Sequence, residues 1–493
     1  MFESAELGHA IDKKTYARQV PKLRAALLDT QYELLEKKQF PVIVLVGGVD
    51  GAGKGETVNL LNEWMDPRHI QTHAMGAPTD EEAGRPRMWR FWRNLPPKGK
   101  VGIFFGSWYT APIVDRVYGN IDDAALEAAM NEVVAFERML VDEGALLVKF
   151  WFHLSKERQR KRLRSLEKDP LTRWRVSDLD WKHFKLYDKF RKISSSALRE
   201  TSTGEAPWIV IEGTDERYRS LTAGKALHDM LRKRLDAGPR SPRSAVVPPE
   251  LPAIDKKLVL DELDMSKKVD KPTYEKKLEK LSGKLNKLSR HPKFKKRAVV
   301  CVFEGMDAAG KGGAVRRVTR ALDARCYQLI PVAAPTEEER AQPYLWRFWR
   351  HIPPTWGRFT IFDRSWYGRV LVERVEGFAK EDEWLRAYSE INDFEEQLVE
   401  RGNIVLKFWL HVSPDEQLRR FKERERTSFK RFKITKEDWR NRKRWPDYVR
   451  AACDMLDRTS TDIAPWTVVA AEDKYHARLH VLSTVVDALE KAL

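Results

Sequence analysis

The chain has 493 residues, 42% of them hydrophobic and 33% charged, with 17 Trp. That load of large apolar side chains excludes a disordered chain, and the length exceeds what one ordinary core encloses. Ninety Lys and Arg against 73 Asp and Glu leave a net charge of +17, which draws polyanions: nucleic acid, anionic lipid or phosphate chains. The three cysteines, Cys301, Cys326 and Cys453, have neither metal-ligand nor CxxC spacing and read as reduced thiols. No apolar run reaches the roughly 18–20 residues that a bilayer-crossing helix needs. The opening MFESAELGHA lacks a basic-then-apolar leader pattern. The expectation is a cytoplasmic protein with no membrane partner.

In chain order, a charged amphipathic helix marked by Thr15-Tyr16 precedes a short apolar strand over 42–46. That strand runs directly into the glycine loop GVDGAGK (48–54), and a helix follows over 57–64. Next come WRFWR (89–93), whose aromatics read as core or interdomain packing rather than base stacking, and apolar strands over 101–105, 146–152 and 208–211. A stretch rich in Pro, Ser and Gly over 237–255 reads as a linker. The same plan then repeats at an offset of about 257 positions. Thr273-Tyr274 marks a helix, and a strand over 298–303 feeds GMDAAGK (305–311). WRFWR recurs over 346–350, and strands over 359–362, 404–410 and 466–469 follow. Short apolar strands alternating with helices predict parallel sheets covered on both faces. The fold class is therefore α/β: two tandem three-layer α/β/α domains over 1–236 and 256–493.

Gly-x4-Gly-Lys between a strand and a helix is a Walker-type P-loop. Its glycines let backbone N–H groups crowd around phosphate oxygens, and the helix N-terminus adds the positive end of its dipole. In the second copy the loop residues expected to bind phosphate are Gly305, Ala309, Gly310, Gly312 and Gly313, with Lys311 as the mobile cation. Both loops lack the Ser/Thr that normally follows the lysine and carry an internal acid instead, Asp50 or Asp307. A carboxylate there is a hard ligand suited to Mg²⁺.

The copies part company at the next strand end. The second reads IFDRSWY (361–367) and the first IFFGSWY (103–109), so Asp363 and Arg364 fall opposite Phe105 and Gly106. Asp363 stands where a second metal-bearing acid belongs, and Asp307 with Asp363 would hold Mg²⁺. Arg364 suits bracing a transferring phosphoryl group by a fork of hydrogen bonds. Arg369 and Glu373, four apart on an expected helix, are candidates for binding phosphate and for catalysis, although a plain surface ion pair explains them nearly as well. The basic segment 419–433 contributes Arg424 and Lys430 to a mobile lid. Losing one charge clamp typically costs on the order of a hundred-fold in rate, so the first copy is expected to keep its fold and transfer poorly.

Taken together, the loop with its internal aspartate, the Phe-Asp-Arg-Ser-Trp-Tyr strand end and the basic lid resemble the second family of polyphosphate kinases, once per half. The resemblance implies P-loop kinase-like domains similar to thymidylate kinase, Mg²⁺ dependence and helical lids. It also implies active roles for Asp307, Gly310, Lys311, Asp363, Arg364 and Glu373, with Arg424 and Lys430 in the lid. Two fused copies look like the tandem subgroup, which makes ADP from AMP with inorganic polyphosphate as donor. The sequence departs from the family at Gly368 and at Thr427-Ser428. A polyphosphate:ADP kinase, an ATP-dependent mononucleotide kinase and a nucleic-acid-binding P-loop module are the alternatives. No specific nucleic-acid signature is present. Self-association into a homo-oligomer is left open.

Overall fold

The computed structural model describes residues 1–238, 257–428, 432 and 434–493. Lys430 and residues 239–255 of the expected linker lie outside the described residues. The described chain divides into two compact units. The first holds residues 1–78, 90–238 and 337–343, the second residues 79–89, 257–336 and 344–493.

The first unit is built on strands β1 (Val42–Gly48), β2 (Ile70–Ala74), β3 (Val101–Phe105), β4 (Leu146–His153) and β5 (Trp208–Glu212). They form one sheet in the order β2-β3-β1-β4-β5, with every pairing parallel. The second unit repeats it with β6 (Ala298–Gly305), β7 (Tyr327–Pro331), β8 (Arg358–Asp363), β9 (Asn403–His411) and β10 (Trp466–Ala470) in the order β7-β8-β6-β9-β10. Both are P-loop kinase-like α/β/α domains. The strand that feeds the glycine loop is central in each and almost wholly buried, which is why it reads as an unbroken apolar run.

Sequence reasoning expected four strands per unit; there are five. The missed ones, β2 and β7, are edge strands in which only Ile70 and Ile330 are buried, so neither carries an apolar run. The helices marked by Thr15 and Thr273 begin identically: Asp12 and Asp270 each accept a hydrogen bond from the backbone N–H of that threonine at 2.9 Å. These helices, Lys13–Lys37 and Lys271–Ser289, pack against the last helix of their own unit, Glu216–Asp236 and Lys474–Ala492.

The repeated Ser-Trp-Tyr motif is structural in both units. Trp366 Nε1 and Tyr367 Oη donate to Glu395 Oε1 at 3.0 and 2.7 Å, and Lys407 Nζ donates to Glu395 Oε2 at 2.7 Å. Trp108, Tyr109, Glu137 and Lys149 repeat these bonds in the first unit. Removing one partner of so buried an ion pair costs about 3–5 kcal/mol, because the other charge is stranded. The WRFWR aromatics are core, as expected. Phe91 packs edge-on to Trp108 at 5.5 Å and Phe348 to Trp366 at 5.8 Å, both between ring centroids.

Candidate active site

In the second unit the site lies over the loop between β6 and the helix Lys311–Arg320. Gly305 has φ +143°, and a Cβ there would stand 2.3 Å from the Leu410 carbonyl oxygen on β9, so only glycine lets the strand turn into the loop. Gly310, at φ +111°, caps the helix. Ala308 takes a left-handed φ of +61°, which costs a non-glycine residue roughly 1–2 kcal/mol. Arg420 holds this strained turn from beneath: it is buried and donates from Nη1 to the carbonyls of Ala308 and Ala309, both at 3.0 Å.

Asp307 projects from the loop and is held on three sides. Its carboxylate accepts from Arg364 Nη2 at 3.3 Å and from Asn441 Nδ2 at 2.9 Å, while its backbone carbonyl accepts from Gln417 Nε2 at 3.0 Å. Lys311 donates to the Gly305 carbonyl at 2.6 Å. Burial pushes its pKa down, opposed by the fields of Asp307, Asp363 and Glu304. Asp363 ends β8 beside Phe303 of β6, and Arg364 follows with a left-handed φ of +64°. That turn aims the guanidinium back over the loop, where Asp307, Glu304 and Asp363 all favour its charge against the cost of burial. A cavity of about 70 Å³ is lined by Glu304, Asp307, Lys311, Arg364, Asn441 and Tyr448, among others.

The remaining expected residues are placed differently. Gly312 faces open space, whereas the N–H groups of Ala309 and Gly313 are engaged by Met306 and Gly310. The expected continuous helix after β8 is broken. A 3₁₀ turn over Trp366–Arg369 ends at Val370, and a four-residue helix, Val372–Val375, starts after Leu371 at φ −109°, ψ −98°. Across that break Arg369 Nε still meets Glu373 Oε2 at 2.9 Å, and its guanidinium lies 4.4 Å from the Tyr344 ring. Gly368, rather than either of them, lines the cavity. Arg424 sits on the helix Pro414–Arg426; burial lowers its pKa, while Asp438 and Asp307 pull the other way.

Sequence reasoning missed Glu304, Asn441 and Tyr448. Glu304 is 5% exposed, accepts from Ser365 Oγ at 2.8 Å, and its pKa is raised by burial against the pull of Lys311. The signal was available: Glu304 falls opposite Gly47, a third charge missing from the first copy.

In the first unit the loop has the same backbone, with Gly48 at φ +134° and Gly53 at φ +86°, and Lys54 donates to the Gly48 carbonyl at 2.6 Å. Gly106 repeats the left-handed turn of Arg364 at φ +80° without a side chain.

The family model for polyphosphate kinase 2 matches residues 10–237 and 268–493. The chain belongs to the polyphosphate kinase 2 family. Over 492 residues it is 57% identical to the polyphosphate:AMP phosphotransferase of Pseudomonas aeruginosa PAO1, covering 100% of this chain and 99% of that protein. It is 37% identical to the polyphosphate:AMP phosphotransferase of Acinetobacter johnsonii, covering 97% and 99%. The crystal structure of a putative polyphosphate kinase 2 from Pseudomonas aeruginosa PA01 superposes with a TM-score of 0.91 at 55% identity, covering 100% of this chain and 99% of that one. Among the described residues no helix is long and apolar enough to cross a membrane.

Among the described residues no group of three or more His, Cys, Asp or Glu side chains gathers to hold a metal unaided. Asp307 and Asp363 are nonetheless both within the electrostatic reach of Lys311. Two hard carboxylates leaving further positions for phosphate oxygens and water is the donor set that Mg²⁺ accepts in phosphoryl-transfer sites.

Proposed function

We propose that the chain moves the terminal phosphoryl group of inorganic polyphosphate to AMP, giving ADP and a polyphosphate one unit shorter. The second unit, residues 256–493, carries the reaction. The first, residues 1–236, is joined to it through 237–255 and is catalytically silent. One observation carries this assignment: Glu304, Asp307, Asp363, Lys311 and Arg364 meet over one glycine loop, and Gly47, Phe105 and Gly106 replace three of them in the other.

Backbone N–H groups of the loop and Lys311 receive the donor's end group. Lys311 then exchanges its bond to the Gly305 carbonyl for phosphate oxygens. An oxygen of the AMP phosphate attacks the terminal phosphorus; the P–O bond to the rest of the chain breaks, and its electron pair leaves with the shortened chain. Arg364 spans the charge spread over the transferring group, and Arg424 adds positive charge from the basic segment. Asp307 and Asp363 would hold Mg²⁺, which would neutralise charge on the phosphate oxygens. Glu373 keeps Arg369 in place beside this surface. The net charge of +17 suits a polyphosphate chain, whose binding releases counterions and weakens with salt. A location in the cytoplasm, where AMP is available, fits the same reading.

The donor decides the function. ADP should form from AMP with Mg²⁺ and polyphosphate, and stop when polyphosphate is replaced by ATP; equal rates with ATP alone would assign a mononucleotide kinase instead.

A further inference from the structure

Where the second unit has Glu304 and Arg364, the first has Gly47 and Gly106, which vacate side-chain space, and Phe105 in place of Asp363 adds a ring to the wall. The cavity above the first glycine loop measures about 580 Å³, against about 70 Å³ above the second. Phe105, Trp151, Tyr187, Phe190 and Trp208 are among the rings that wall it. Volume and composition are those of ordinary small-molecule sites, which are mostly apolar with a few fixed polar groups.

The charges at the floor cancel one another. Lys54 Nζ donates to Asp50 Oδ1 at 3.0 Å, and the other oxygen of Asp50 lies 2.7 Å from His183 Nδ1. Burial alone would push the Asp50 carboxyl up, but Lys54 and His183 hold it well below the usual carboxylate range. A phosphate reaching Lys54 would compete with that carboxylate for its charge.

Two polar atoms of the cavity lining are buried without a partner. Gln159 and His153 are 2% and 1% exposed, both line the cavity, and Gln159 Oε1 and His153 Nδ1 have no hydrogen-bond partner. The glutamine is informative by contrast. Gln159 and Gln417 each donate from Nε2 to the carbonyl of their loop aspartate, at 3.1 and 3.0 Å. In the second unit Gln417 Oε1 also accepts from Arg442 at 3.1 Å, but Phe184 stands in that place in the first. An unmet buried acceptor destabilises the empty site, and a ligand donor would satisfy it.

We propose that the cavity of the first unit is a binding site for an uncharged heteroaromatic molecule of nucleoside size. Its ring lies against the aromatic walls and its polar edge meets Gln159 and His153. The site goes beyond the transfer reaction, and its readout is binding rather than turnover, so it stands or falls apart from the assignment of catalysis to the second unit.

Adenosine is the probe. Calorimetric titration of the full-length chain should show adenosine binding that depends on the first unit. Met75→Trp, which puts an indole into the cavity wall, should weaken binding at least about tenfold, and Gln159→Leu about tenfold through the lost hydrogen bond. Lys311→Ala, in the other unit, should leave adenosine affinity unchanged. Absence of binding to the wild-type chain, binding indifferent to both first-unit substitutions, or binding lost with Lys311→Ala overturns the proposal. Hydrogen exchange on the wild-type chain gives the answer without any variant: adenosine should slow amides over 105–114 and 182–191, and unchanged exchange there at saturation overturns it equally.

Discussion

Lys54 and Lys311 leave the same backbone turn and donate to the carbonyl of the first loop glycine at the same 2.6 Å, yet they face opposite surroundings. Around Lys311 stand Asp307, Asp363 and Glu304, with Arg364 among them and a cavity of about 70 Å³. Around Lys54 the single acid Asp50 is closed off by His183, and Phe105 and Gly106 leave an apolar chamber. A little further on, Glu56, opposite Gly313, places a carboxylate on the first helix after the loop. That carboxylate pairs with Arg162 and Arg175 at 2.9 Å and with Arg219 at 2.6 Å. Arginines that could serve a phosphate in the first unit are thus occupied by an internal anion. The comparison teaches that a phosphate loop is a backbone device; the charges around it decide whether transfer follows.

The largest effect expected from breaking that contrast is at the paired lysines. Lys311→Ala should lower ADP formation by about a thousand-fold, and Lys54→Ala by less than about twofold, in steady-state assays with saturating polyphosphate. Equal losses would mean that both loops bind the donor productively.

A smaller effect sharpens the part played by Glu304, the third charge missing from the first unit. Its buried carboxyl has a folded pKa raised above 4.5, so the folded protein holds a proton that the unfolded chain has released. Stability from this group is therefore present below pH 4.5 and is lost as pH rises through the raised folded value. Glu304→Gln should accordingly raise the melting temperature by about 1–3 °C at pH 7.5, with the gap closing toward pH 4.5, while activity falls about tenfold. A variant less stable than the wild type at pH 7.5 would show that the ionised carboxylate supports the fold.

The sheets and loops were legible because apolar runs of strand length ended in glycines that tolerate positive φ, and because the chain states the pattern twice. The polar edge strands β2 and β7 left no such run. Glu304 escaped notice because an acid at a strand end reads as the start of a turn; only its burial and its bond to Ser365 reveal its place beside Lys311. Asn441 and Tyr448 come from helices far along the chain, Lys436–Lys443 and Trp445–Thr459, and reach Asp307 or its cavity only in three dimensions. Arg369 and Glu373 show the reverse. Their spacing promised a continuous helix, but Leu371 breaks it and the pair forms nonetheless. The Trp and Tyr of the shared Ser-Trp-Tyr motif, repeated letter for letter, belong to a buried network common to both units, so identity between the copies marked the scaffold and difference marked the chemistry.

The most direct test is ADP formation from AMP, Mg²⁺ and polyphosphate by the wild-type chain and by Asp363→Asn, with folding checked by circular dichroism. The neutral amide keeps the shape of the strand end and removes its charge, so a fall in turnover of about a hundred-fold or more with an unchanged melting profile is expected. Turnover within about twofold of the wild type would contradict placing phosphoryl transfer at the charged strand end of the second unit.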